Sequence, residues 1–180
     1  MSGIAGMPEF AGQAQTPVQE PGEGDRIVRV VVLGVVAALA GSAVWVAFGA
    51  ATKHEIGFVA VGVGVLVGWS MARVRAASGV LPFVAGGIAL VAVLVGDFVL
   101  DVYLQAAGED LGFGDALSTT LANPDLARAI FQAYFSPIDL IFWLIATRAA
   151  YQFVKSSVLS VRAERTVAAG PPAALYGPQA

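Results

Sequence analysis

Ile27 to Ala51 reads IVRVVVLGVVAALAGSAVWVAFGAA, with a single charge, Arg29, near its start. As an α-helix this run rises about 37 Å at ~1.5 Å per residue, enough to cross the ~30 Å hydrocarbon core of a bilayer with some tilt. The rest of the chain is of the same kind. Of its 180 residues 57% are hydrophobic and 13% are charged, and the mean hydropathy is +0.76. Ordinary globular domains carry roughly 25% charged residues. Composition thus excludes a water-soluble globule, the 21 glycines and low charge argue against a coiled coil, and the hydrophobicity excludes a disordered acidic chain. With no cysteine there is no disulfide framework, thiolate metal site or cysteine nucleophile to consider.

Working outward from that run, residues 1–25 are rich in Pro, Gly, Gln and Glu and lack the basic start of a signal peptide, so they read as a disordered cytoplasmic tail. A polar break, Thr52 to Glu55, precedes an uncharged run from Ile56 to Ala72, near the lower length limit for a span. Arg73 and Arg75 close it. A third span covers about 78–105, and a fourth, PIDLIFWLIATRAAYQFVK, runs from Pro137 to Lys155. The expectation is an all-α integral membrane four-helix bundle over residues 26–157, followed by a cytoplasmic tail, 158–180, that is mostly disordered. Basic residues set the orientation. Arg26, Arg29, Arg73, Arg75, Lys155, Arg162 and Arg165 fall on the side of the termini, against Lys53 and Arg128 on the other. Both termini are therefore expected in the cytoplasm of a bacterial cell, with the protein multi-pass in the plasma membrane.

Residues 108–135 are expected to lie outside as an interfacial segment. Asn123-Pro124-Asp125 supplies an N-cap, a proline suited to the first helical position and an acid that favours the helix dipole. Leu126, Ile130 and Tyr134 then recur at intervals of four, which predicts a short amphipathic helix covering the bundle end or the outer leaflet. The preceding stretch, GEDLGFGDALSTTLA, lacks the ligand spacing of an EF-hand.

In hydrocarbon an ionisable side chain is costly enough to need a reason. Asp139 has one: Ser136-Pro137-Ile138-Asp139 fits a capping box. Glu55 favours the dipole at the start of the second span, with Lys53 and His54 in the wetted turn. Asp97 and Asp101 are harder to explain. They lie four residues apart on one helix face, where two carboxylates repel unless something compensates them. Arg148 is expected at a depth from which it reaches toward Asp97, so an interhelical Asp97–Arg148 pair is one reading and separate snorkelling the other. Asp97, Asp101 and Arg148 form the candidate intramembrane site, and Glu55 and Asp139 are weaker members.

Gly57, Gly64 and Gly68 make a stripe on the second span, and Gly34, Ala38 and Gly41 a comparable face on the first. Close helix packing, or a homo-oligomer seam, is expected there. Gly62 and Gly64 have no βαβ unit around them, so a dinucleotide site is rejected. No serine sits in a nucleophile elbow, and His54 is the only histidine. Catalytic residues, metal ligands and cofactors are accordingly assigned to none. With a net charge of -3 and no basic stripe, nucleic-acid binding is unsupported.

The runs EIGFVAVGVGVLVGW (55–69) and YFSPIDLIFWLIATRAAYQF (134–153) resemble those of small four-helix membrane proteins of high-GC, actinobacterial-like bacteria. The bias of eight Arg to two Lys agrees. That resemblance implies an architecture and no activity. The functional expectation is a noncatalytic accessory or scaffold subunit binding the lipid bilayer and another membrane protein or its own copy. A small oligomeric ion or solute transporter using the outward carboxylates is the alternative, and a membrane enzyme on lipid or isoprenoid substrates the third.

Overall fold

A computed structural model describes residues 22–52 and 57–169. Of the tail expected over residues 1–25, residues 1–21 lie outside the described residues, while 23–25 are helical; residues 53–56, with Glu55, and 170–180 also lie outside them. Among the described residues the protein is all-α, with six helices: α1 Glu23–Thr52, α2 Phe58–Ala72, α3 Leu81–Gly108, α4 Phe113–Ala122, α5 Pro124–Tyr134 and α6 Pro137–Ala168.

The helix ends follow local chemistry. Glu23 and Asp25 place negative charge at the start of α1, Pro82 opens α3, and the side chain of Asn123 accepts the Leu126 amide at 3.3 Å to cap α5. At the start of α6 the Ser136 amide donates to Asp139 Oδ2 at 2.8 Å, and the capping box predicted from sequence is present. The end of α3 is a Schellman turn: Asp110 takes the left-handed position usual for glycine, at φ 58°, and the Leu111 amide reaches back to the Ala106 carbonyl at 2.9 Å. A short polar side chain tolerates that conformation better than a bulky one.

Of the four expected spans, α1 and α3 are long and apolar enough to cross a membrane, with 30 and 28 residues. α2 is apolar but has 15 residues, a rise of about 22 Å. α6 has 32 residues and continues to Ala168, through the first part of the segment expected to be mostly disordered. It joins α5 at a bend of 95°. α4 has no counterpart among the helices expected from the sequence.

α2 packs against α1, α3 and α6, α3 packs against α1 and α6, and α4 and α5 rest on α3. Small side chains make the close approaches possible: Ala60, Ala85, Ala89, Ala146 and Ala150 are fully buried alongside Val63, Val67, Val93 and Leu100. Gly34 and Gly41 face Met71 and Val63 of α2, as expected for the first two helices. The stripe on α2 serves another neighbour. A Cβ on Gly64 would fall on the backbone of Ala146, one on Gly68 would lie 2.7 Å from Ala150 Cα, and one on Gly57 would meet the Phe142 ring, so all three glycines face α6.

The end at which α1 begins and α6 finishes is tied together by polar contacts. Arg165 pairs with Glu23 at 3.0 Å, and Glu23 also accepts the Ala77 amide at 3.1 Å. The Arg165 hydrogen bond, helped by that amide, holds the Glu23 carboxyl below the ordinary carboxylate range. Arg162 donates to the Ala77 carbonyl at 2.9 Å, and Ser157 to Ala72 at 2.9 Å. The α2–α3 loop is thus anchored to the last turns of α6.

Candidate functional site

The sequence-predicted polar residues are separated by the fold into two environments. Asp97 and Asp101 lie on the inward face of α3, where Gly96 makes room for the indole of Trp45, 3.6 Å from where a Cβ would stand. Ser42 Oγ donates to the Ala92 carbonyl at 2.9 Å and fixes the same α1–α3 seam one turn away. From the opposite side α6 presents Trp143, whose Nε1–H donates to Asp97 Oδ2 at 2.6 Å. That short distance fits a charge-assisted bond, stronger than one between neutral groups. Asp97 is half-buried. Asp101, one turn further along α3, is buried at 5% exposure. Both carboxylates also take part in further polar interactions, so neither stands uncompensated.

Phe131 of α5 and its C-cap Phe135 pack on the same tryptophan. Phe131 and Phe135 stack on each other with centroids 5.4 Å apart, and lie 6.5 and 5.9 Å from Trp143. Ile130 of α5 is buried beside them in the chain. Phe131 of the amphipathic helix read from Leu126, Ile130 and Tyr134, and Phe135 just past its end, therefore lie against the Trp143 ring.

Between α1, α2, α3 and the start of α6 lies a cavity of about 330 Å³, lined by Trp45, Gly57, Ala60, Asp97, Ser136, Ile138, Asp139, Phe142 and Trp143. The structure thereby brings the weaker candidate Asp139 to the same cavity as Asp97. Trp45 is 3% exposed and its Nε1–H has no hydrogen-bond partner among the described residues. A buried indole donor left unpaired costs about 1–3 kcal/mol. The cavity walls therefore offer carboxylate acceptors on one side and an indole among the lining groups on another. Trp45→Phe removes that donor but also leaves part of the packed indole volume empty, so in detergent unfolding titrations it is expected to cost clearly less than the ~3–5 kcal/mol of Trp45→Ala; equal losses in the two variants would show that the indole N–H has a partner.

Arg148 is elsewhere. The buried face of α6 runs through Ala146, Ala150, Val154, Val158 and Val161. At ~100° per residue Arg148 stands roughly 200° from Ala146, on the opposite side. It is exposed, and no ion pair joins it to Asp97, so the interhelical pair considered from sequence is not formed. Depth placed Arg148 within reach; its direction around the helix takes it away.

Among the described residues no group of three His, Asp or Glu side chains comes together as a metal site. Sequence reasoning missed both tryptophans. The available signal was chemical: an indole N–H in an apolar helix needs an acceptor, and Asp97 is the acceptor set in the neighbouring apolar run. Compared with known protein families, with curated proteins and with solved structures, the chain matches none.

Proposed function

We propose that the chain is a four-span plasma-membrane protein with both termini in the cytoplasm, acting as a noncatalytic accessory subunit that docks another membrane protein along the outer face of α6. The carrying observation is the exposed stripe Ile141, Leu144, Ile145, Arg148, Gln152 and Leu159. Intramembrane charges almost always face a protein interior or a water-filled cavity. Arg148 starts about 16 Å along α6 from Pro137, near the middle of a bilayer-spanning segment, and it points away from this fold. A partner helix with a carboxylate at that depth satisfies it, and the surrounding isoleucines and leucines supply the apolar contact.

Photo-crosslinking from position 145 in native membranes tests this. A defined protein partner is expected to crosslink, with recovery falling at least about tenfold in Arg148→Gln, because removing one member of a desolvated charge pair costs more than 1.4 kcal/mol. Crosslinks to lipid alone, or recovery unchanged by Arg148→Gln, sink the docking reading.

The cavity at Asp97, with the Trp45 indole N–H unpaired among the described residues, supports a second reading: a small oligomeric ion or solute transporter. A pure homo-oligomer with cation-dependent flux lost in Asp97→Asn favours it over the first.

A further inference from the structure

At the end where α1 begins and α6 finishes, a second cleft of about 530 Å³ opens beside the α2–α6 seam. Its walls differ along the helix direction. Toward the middle of the helices stand Trp69 and Phe153, both lining the cleft and 45% and 40% exposed. Toward the end stand Arg73, Arg75 and the hydroxyls of Ser156 and Ser160. We propose that this cleft holds the phosphate of an anionic phospholipid, with the acyl region lying against Trp69 and Phe153.

The polar wall is built from groups held in place. The Arg73 guanidinium lies 3.5 Å from the centroid of the Trp69 ring, a cation–π contact that orients it while leaving its N–H edges available. Arg75 takes the left-handed backbone region, at φ 55°, which a bulky L residue adopts only when its surroundings enforce it. From there its Nη2 donates to both carboxylate oxygens of Glu164, at 2.5 and 2.6 Å, in an exposed ion pair. Ser156 and Ser160 now donate to carbonyls of their own helix, Phe153 at 2.9 Å and Ser156 at 3.0 Å. A hydroxyl rotates readily, so each can turn its proton toward an anionic oxygen. Guanidinium N–H groups and hydroxyls are the donors that phosphate oxygens take, and basic pockets between helices on the cytoplasmic side are where anionic headgroups bind. The adjoining apolar wall favours a lipid over a free phosphate, since a soluble phosphate gains nothing from exposed Trp69 and Phe153.

Glu164 gives the proposal a signature. It occupies the Arg75 guanidinium that a phosphate would otherwise share, so removing its charge strengthens binding, whereas a purely structural role for the pair would weaken it.

The inference rests on the membrane reading and not on the accessory-subunit reading: absence of a partner leaves it untouched, and a protein that stays in solution without detergent refutes the membrane reading directly. Native mass spectrometry of the full chain, released from detergent with added phosphatidylglycerol or phosphatidylcholine, tests it. Phosphatidylglycerol is expected to bind at least about fivefold more tightly than phosphatidylcholine, to weaken by a similar factor in Arg73→Gln, and to bind more tightly in Glu164→Gln. Arg128→Gln, on α5, is expected to change nothing. Equal binding of the two lipids, or Arg73→Gln and Glu164→Gln behaving like Arg128→Gln, overturns the site. Displacement of phosphatidylglycerol by inorganic phosphate at comparable concentration overturns the lipid as its source.

Discussion

Adding one methyl group at position 64 is expected to destabilise the protein by about 3 kcal/mol, near the upper end for overpacking a well-filled core. In Gly64→Ala the new Cβ falls on the backbone of Ala146. A side chain in the way could rotate, but backbone inside a helix moves only if the helix moves. α2 packs most extensively on α6, so pushing the two apart loosens the most extensive helix pairing in the fold. Gly68→Ala, 2.7 Å from Ala150 Cα, is expected to behave similarly. The control is on the same helix: a Cβ on Gly62 meets nothing within 4 Å, so Gly62→Ala is expected to be neutral or to stabilise by up to about 1 kcal/mol, because alanine favours a helix over glycine. Gly34→Ala meets the Met71 thioether, a flexible side chain, and falls between the two. Unfolding titrations in mixed micelles measure the series. If Gly64→Ala and Gly62→Ala prove alike, helix propensity alone sets the outcome and the close α2–α6 seam does not exist.

Loss of the Asp97–Trp143 contact carries the second large effect. Asp97→Ala leaves the half-buried Trp143 N–H without its acceptor, and Trp143→Phe takes a donor from a half-buried carboxylate; each is expected to cost about 2 kcal/mol. Combined, they cost less than their sum, with a coupling of about 1–2 kcal/mol, because the second change removes a group already stranded by the first. Arg148→Gln, by contrast, is expected to add independently to Asp97→Ala, since the two residues form no ion pair and Arg148 is on the outward side of α6. A cycle that is additive for Asp97 with Trp143 and coupled for Asp97 with Arg148 would reverse the assignment.

The two outcomes for Arg148 and the glycine stripe have a common cause. Sequence position along a helix converts directly to depth, at ~1.5 Å per residue, and depth alone made Arg148 a plausible partner for Asp97. Direction around the helix was also legible, because Ala146, Ala150, Val154 and Val158 mark the inward face at intervals of four, and Arg148 is not on it. The glycine stripe of α2 was legible as a close-packing face, but small residues fit any helix equally well, so nothing in the spacing of Gly57, Gly64 and Gly68 could choose α6 over α1. α4 escaped because Gly112 and Gly114 bracket its start and its ten residues are too few for a periodic signal.

What the sequence determined by itself is what depends on neighbours along the chain. Hydropathy over tens of residues makes α1 and α3 long apolar helices, Asn123 and Ser136 with Asp139 start α5 and α6, and the basic flanks group at the end where α1 begins and α6 finishes. The tertiary structure decided everything that depends on which faces meet. It put α6 against the α2 glycines, brought Trp143 rather than Arg148 to Asp97, set Phe131 and Phe135 against the Trp143 ring, and turned Arg148 outward. Helix periodicity states which residues share a face, whereas the partner of that face is chosen by the joint packing of several helices, and no local pattern carries that choice.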